Sequence, residues 1–157
     1  MNVRIDNPPA AVSRDQPSRP RVVCFVNGIF ADQIGGGDVY FSYMARAAMA
    51  AGYPIHFFGG HALQSFLARQ GFPTQNLTLT DSGKGELGDV ASLGGQFRLL
   101  RDCARRLRGT LPLLDSVQPG DIAYAMSDYW FDTIPLLRCR ARAKVLCLGM
   151  MAPSFKQ

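Results

Sequence analysis

The chain has 157 residues, a formal net charge of +5 and an apolar fraction of 47%, which suits one globular domain with a core and is too short for two. No stretch approaches the roughly 18 uncharged apolar residues of a membrane-spanning helix, and the N-terminus lacks the apolar block of a signal peptide. These features argue against an integral membrane or secreted protein and predict a cytoplasmic one.

The first part of the chain predicts a leader, a strand and a helix. Residues 1–20 are rich in Pro, Ser, Asn and Arg without an apolar period, which is typical of a disordered leader. Residues 21–27, RVVCFVN, are apolar at consecutive positions, as in a strand buried on both faces. After three glycines, DVYFSYMARAAMAAG predicts a helix that Asp38 caps and Gly52 ends. Its apolar period falls on Val39, Tyr43, Ala47 and Ala50.

Strands and helices alternate through the rest of the chain. Further strands are predicted at residues 54–59, 76–80, 121–126 and 144–149. Between them we expect a helix ended by Gly71, a glycine-rich loop over 81–95, a helix over 96–107 and a helix interrupted or started by Pro135. Strands separated by helices are joined by right-handed crossovers, which give a mainly parallel sheet with helices on both faces. The sequence therefore predicts a doubly wound, Rossmann-like α/β domain over residues 21–157.

The glycine triplet after the first strand is the first candidate site. Ligands of open parallel sheets bind outside the carboxyl ends of the strands, and a helix N-terminus there favours an anion such as phosphate or carboxylate. We therefore predict substrate or phosphate binding at Gly35, Gly36, Gly37 and Asp38. The alternative is a loop that needs glycine only for positive dihedral angles at the helix entry.

Known cofactor motifs do not match. The spacing of the glycines is wrong for GxGxxG, the only lysine flanked by glycines, Lys84, is not followed by a hydroxyl residue, and no GxSxG is present; these mismatches disfavour NAD binding, ATP hydrolysis and a serine nucleophile. The four cysteines form no CxxC pair, so neither a disulfide nor zinc is expected. We predict no cofactor and no metal site.

A second candidate site is the segment SDYWFDTIP that follows the fourth strand. Asp128 and Asp132 belong at the same edge of the sheet as the glycines, where their carboxylates can bind sugar hydroxyls, although Asp128 can equally cap the next helix. Tyr129 and Trp130 can stack on a sugar face, but burial in the core is the favoured interpretation. His61, after the second strand, is interpreted as a polar cap.

Arginines are concentrated on one predicted helix. Arg98, Arg101, Arg105 and Arg108 share a face, and the apolar stripe comprises Leu100, Cys103, Ala104, Leu107 and Leu111. Such a basic face can dock on anionic lipid head groups, but an ordinary solvated helix face is the favoured interpretation. Nucleic-acid binding is not predicted, because no binding motif accompanies the moderate charge.

Three motifs occur together in a meaningful order: the glycines before the first helix, the helix end MAAGYPIHFF, and SDYWFDTIP after the fourth strand. Over residues 21–154 this pattern resembles the N-terminal Rossmann-like domain of retaining glycosyltransferases of the GT-B fold, specifically glycosyltransferase family four. One departure is the absence of the histidine that many members carry after strand five, because residues 149–151 are Gly-Met-Met.

The resemblance implies a function. It makes this chain the acceptor-side domain of an enzyme that moves a sugar from a nucleotide-sugar donor to a glycan or lipid-linked acceptor. Gly36 and Gly37 would then let the backbone approach the acceptor or the donor diphosphate, without a metal. The chain would be a fragment, inactive without its C-terminal domain, and cytoplasmic or peripheral at the inner face of the membrane. The alternative is a non-catalytic Rossmann-like module that binds a phosphorylated small molecule.

Overall fold

The computed structural model describes residues 19–29, 36–81 and 92–148. Strands and helices alternate through these residues, and the five predicted strands are confirmed with slightly shorter bounds. In chain order the elements are β1 (Val22–Phe25), α1 (Gly36–Ala50), β2 (Ile55–Gly59), α2 (His61–Arg69), β3 (Leu77–Leu79), α3 (Leu93–Thr110), β4 (Ile122–Ala125), α4 (Trp130–Arg138) and β5 (Ala143–Leu146), with 3₁₀ turns at Thr74–Asn76 and Leu111–Ser116. The predicted leader lies almost entirely outside the described residues, as does most of the predicted loop over 81–95.

The five described strands form one sheet in the order β3-β2-β1-β4-β5. Every neighbouring pair is parallel, so the predicted Rossmann-like α/β fold is confirmed. Strand order reverses between β1 and β4, because β1 connects onward to β2 on one side while β4 lies on the other. Such a reversal creates a crevice outside the carboxyl ends of the two strands.

The core has two layers, one on each face of the sheet. Successive side chains of a strand point to opposite faces, and all four residues of β1 are buried. Val22 and Cys24 pack with side chains of α1 and α2, whereas Val23 and Phe25 pack with side chains of α4 and of the 3₁₀ turn that follows α3. Burial on both faces explains why β1 is apolar at consecutive positions.

The buried face of α1 differs from the predicted one. Val39 and Tyr43 are exposed by 43% and 70%, whereas Phe41 and Ala45 are fully buried. The Phe41 ring lies 5.9 Å from that of Phe57 and 6.4 Å from that of Tyr124. The prediction of this face was wrong because large apolar side chains lie on several sides of the helix, so the apolar period does not show which of them packs against the sheet.

The last turn of α3 lies directly against the end of β3. A Cβ atom added at Gly109 would lie 2.8 Å from the carbonyl carbon of Thr80, and closer still to its oxygen. Contacts of this length with backbone cannot be relieved by turning a side chain. Gly109 is therefore the residue that allows α3 to approach the carboxyl edge of the sheet.

Gly109→Ala is expected to lower the free energy of unfolding by about 2–3 kcal/mol, because an added methyl group must push helix and strand apart. Gly94→Ala, in the first turn of the same helix, is the matched control, since its Cβ would meet no atom within 4 Å. Alanine there should be neutral or stabilise by up to about 1 kcal/mol. Urea unfolding followed by circular dichroism measures both changes, and equal effects of the two substitutions would contradict the prediction.

Candidate functional site

The candidate site lies at the carboxyl edge of the sheet. Because the strands are parallel, the segments that follow β1, β2, β3 and β4 all emerge at this edge. α1 comes after β1 and α4 after β4, so the N-termini of these two helices lie on either side of the point where strand order reverses. We refer to this region, between the starts of α1 and α4, as the switch-point edge.

Two glycines of the triplet, Gly36 and Gly37, are described, and both lie at this edge. Gly36 begins α1, Gly37 is exposed with open space where a Cβ would lie, and Gly35 is outside the described residues. Among the described glycines, positive φ angles occur at Gly52 and Gly71. A positive dihedral angle therefore does not explain Gly36 or Gly37. Asp38, in the first turn of α1, is buried.

The two predicted aspartates have different environments. Asp128 is exposed, whereas Asp132 is fully buried. The Asp132 carboxylate accepts hydrogen bonds from the main-chain N–H of Asn27 at 2.7 Å and from the Ser127 hydroxyl at 2.6 Å. Burial raises the pKa of Asp132 to about 7, against the opposing effect of these hydrogen bonds. Asp132 thus connects the segments after β1 and β4 beneath the surface rather than facing a ligand.

Asn27 is the centre of this buried polar network. Its side-chain amide donates to the carbonyl of Phe131 at 3.1 Å, and its side-chain oxygen accepts from the Thr80 hydroxyl at 2.9 Å. The Phe131 carbonyl is available because the residue four positions later is Pro135, inside α4, which has no N–H to donate. Because Pro135 cannot donate a helical hydrogen bond to the Phe131 carbonyl, this carbonyl can accept the hydrogen bond that holds the Asn27 side chain.

A second part of the network comprises Arg106, Asp81 and His61, none of which the sequence marked as a site residue. Arg106 is buried, its Nε donates to Asp81 Oδ2 at 3.0 Å, and its Nη1 donates to the carbonyls of Asn27 and Ile29, each at 2.7 Å. Burial lowers the pKa of Arg106, and the Asp81 carboxylate counteracts this. His61 Nδ1 lies 2.6 Å from Asp81 Oδ1.

Gly60 makes room for this ion pair. A Cβ at Gly60 would lie 2.8 Å from Arg106 Nε and closer still to the Asp81 carboxylate. The pair therefore packs directly over bare backbone at the end of β2, much as the Thr80 main chain packs against bare backbone at Gly109 of α3. Close packing at these two glycines brings α3 near enough for Arg106 to reach the segment after β1.

Aromatic side chains are exposed at the start of α4. Tyr129 is 51% and Trp130 39% exposed, so the favoured interpretation of these two as core residues was wrong. Both contact Phe131, with ring centroids 5.4 Å and 5.5 Å apart. Because Phe131 takes the buried position, Tyr129 and Trp130 remain at the surface of the switch-point edge. Each is a flat apolar ring with a polar group, which suits stacking on a sugar.

The arginine-rich helix also differs from its predicted pattern. Arg98, Arg101 and Arg108 are exposed, and Arg105 is partly exposed with Asp102 at 3.1 Å. Arg106, outside the predicted stripe of arginines, is buried. Leu100, which was predicted to face the core, is 54% exposed, and Leu93 and Phe97 are exposed by 77% and 73%. These three residues form an outward-facing apolar strip at helical spacing.

An apolar groove of 310 Å³ lies away from this edge, between α1 and the face of β4 and β5. Its lining includes Met44, Ile122 and Val145. Sugars and phosphates need polar partners, which this lining does not offer. The groove therefore does not compete with the switch-point edge as the candidate site for such ligands.

Among the described residues, no group of three or more His, Cys, Asp or Glu side chains is arranged to hold a metal ion. In the same residues, no helix has the length and apolar character needed to cross a membrane. Comparison of the chain with protein-family models, with curated proteins and with solved structures gave no match.

Proposed function

We propose that this chain is the acceptor-side domain of a glycosyltransferase that moves a sugar from a nucleotide-sugar donor to a glycan or lipid-linked acceptor. The observation that carries the proposal is the composition of the switch-point edge. Exposed backbone at Gly37 lies on one side and the exposed rings of Tyr129 and Trp130 lie on the other, and a buried hydrogen bond from Asn27 to Asp132 joins the segments after β1 and β4. The nucleotide-sugar is held mainly by a further domain, without which this chain does not catalyse transfer.

The charges at this edge favour a neutral, hydroxyl-rich ligand over a phosphorylated one. Among the described residues, the Arg106 guanidinium contacts the segment after β1, but its Nε donates to Asp81 and its Nη1 donates to the carbonyls of Asn27 and Ile29. Asp38, in the first turn of α1, places a carboxyl group where a bound phosphate would benefit from the helix dipole. This argument weighs against the alternative of a non-catalytic module for a phosphorylated small molecule.

The proposal is tested by titrating the ¹⁵N-labelled chain with a panel of methyl glycosides and, separately, with inorganic phosphate. We expect at least one glycoside to shift the amide signals of Gly37 and Trp130, and phosphate to leave them unchanged. Gly37→Trp should abolish that response by filling the open backbone, whereas Gly94→Trp, also in open space at a helix start, should not. A phosphate response without any glycoside response would overturn the proposal and support the binding module.

We further propose that α3 attaches the protein to the inner face of the membrane, where lipid-linked acceptors are found. The apolar strip of Leu93, Phe97 and Leu100 faces outward, and exposed Arg98 and Arg101 lie beside it. A helix with this composition can lie in the head-group region with its apolar residues inserted. Each arginine near an anionic surface contributes about 1 kcal/mol.

Leu93→Ser combined with Phe97→Ser is expected to weaken binding to anionic vesicles at least about tenfold, because each buried apolar side chain contributes roughly 1.5–3 kcal/mol. Cosedimentation with vesicles of phosphatidylglycerol and phosphatidylcholine measures the change. Leu137→Ser, which removes a 67% exposed leucine on α4, is the matched control and should have no effect. Equal binding by the double variant and the control would overturn membrane attachment through α3.

A further inference from the structure

His61 is held as part of an aspartate–histidine pair with an open outer face. The residue begins α2, and its side chain is 42% exposed, whereas that of Asp81 is 12% exposed. Asp81 Oδ1 lies 2.6 Å from His61 Nδ1 and also accepts the main-chain N–H of His61 at 3.1 Å. Asp81 therefore fixes both the backbone and the ring of His61, so the ring is not the helix cap that the sequence suggested.

The pair also fixes which ring nitrogen carries the proton. Arg106 lies 3.0 Å from the other oxygen of Asp81, and this neighbouring positive charge favours the ionised carboxylate. An ionised carboxylate can only accept hydrogen bonds, so the proton of the neutral ring belongs on Nδ1. Nε2 is then a lone-pair acceptor on the outer side of the ring.

The position of His61 relates it to the candidate site. α2 follows β2, which neighbours β1, so His61 lies at the same edge of the sheet as Gly37. Arg106 contacts both the Asp81 carboxylate and the carbonyls of Asn27 and Ile29. One guanidinium thus holds His61, through Asp81, in a fixed relation to the segment that leads from β1 towards the glycines.

We propose that His61 Nε2 accepts a hydrogen bond from a hydroxyl group of the sugar acceptor, with Asp81 as the positioning residue. The inference rests on the proposed function and names a subsite within it for a neutral hydroxyl group. Among the described residues, the charged groups that face the ring are Asp81, at the end of β3, and Arg106, on α3.

Ring-nitrogen NMR of the full chain tests the subsite, because the sequence contains only two histidines. His56, whose Nε2 lies 2.9 Å from Thr78 Oγ1 within the sheet, is the internal control. Methyl glycosides that shift the Gly37 amide should also shift His61 Nε2 and leave His56 unchanged. Binding should weaken about three- to tenfold in His61→Phe, the loss expected for one hydrogen bond, and remain unchanged in His56→Phe.

Asp81→Asn provides the readout for the positioning role. The variant should lose the single Nδ1-protonated form of His61 in the ring spectra and should bind the glycoside more weakly, with the fold checked by circular dichroism. Glycosides that shift the Gly37 amide but not His61 would overturn the subsite and leave the proposed function standing. If no glycoside shifts any amide of the edge, the proposed function fails.

Discussion

Arg106→Met is expected to lower the free energy of unfolding by about 3–5 kcal/mol, the usual cost of removing one partner from a buried ion pair. Methionine fills much of the space of the arginine stem but leaves the Asp81 carboxylate and the carbonyls of Asn27 and Ile29 without the guanidinium. Those three acceptors lie at the ends of two different strands, so the loss should also loosen the edge that carries the candidate site. Urea unfolding followed by circular dichroism measures the change.

Arg105→Met is the matched control for this substitution. Arg105 precedes Arg106 on the same helix, is partly exposed and pairs with Asp102 at the surface. Surface pairs of this kind contribute about 0–1 kcal/mol, so the control should change stability little. A double-mutant cycle of Arg106→Met with Asp81→Asn isolates the coupling between the two partners. A loss in Arg106→Met no larger than that in the control would contradict the assigned role of the ion pair.

The fold could be predicted because its signals are local. The apolar run of β1, the glycines that end α1 and α2, and the regular alternation of strands and helices each depend on short stretches of sequence. The structure confirms all three, with Gly52 and Gly71 at φ angles of 78° and 72°. The buried face of α1 was harder to predict, because Tyr40, Phe41 and Tyr43 are all large and apolar and only Phe41 of the three is buried. Local periodicity does not identify the buried face where apolar residues lie on several sides of a helix.

The polar network could not be predicted, because its members are far apart in the sequence. Asn27 and Asp132 are 105 positions apart, and Asn27 and Arg106 are 79 apart. The sequence identified the arginine-rich helix but not which arginine is buried, since the spacing of Arg98, Arg101 and Arg105 resembles an ordinary exposed face. Close packing of α3 against Thr80 at Gly109, and of the Arg106–Asp81 pair against Gly60, places Arg106 in the interior, and such close backbone contacts are visible only in three dimensions.

The network explains why Asp132, a predicted ligand residue, is buried instead. Its carboxylate connects the segments after β1 and β4, the two strands that border the switch-point edge. A site that binds through backbone at Gly37 and rings at Tyr129 and Trp130 needs these two segments held in a fixed relation. Asp132 and Asn27 hold the two segments together from below, while Tyr129 and Trp130 stay exposed above them.

Asp132→Asn is expected to remove a pH dependence of stability that is worth about 4 kcal/mol, from a shift of about three pH units at 1.36 kcal/mol each. The pKa of Asp132 is raised to about 7 in the folded chain, against about 3.9 in an unfolded one. The folded state therefore binds the proton more tightly. The contribution of Asp132 to stability is therefore expected to be constant below about pH 4, to fall as the pH rises to about 7, and to be constant above that.

The asparagine amide has the shape of a protonated carboxyl group and stays neutral across this range. Its oxygen can accept the Asn27 N–H as the Asp132 carboxyl does, and its NH₂ can donate to the Ser127 oxygen once the Ser127 hydroxyl, which donates to Asp132 in the wild-type chain, turns away. All other titrating groups are common to both chains, so their effects cancel in the difference between variant and wild type. Urea unfolding from pH 4 to pH 8 should show that difference growing in favour of asparagine as the pH rises. A constant difference across the range would mean that the folded chain holds Asp132 ionised, with its charge stabilised by the hydrogen bonds from Asn27 and Ser127.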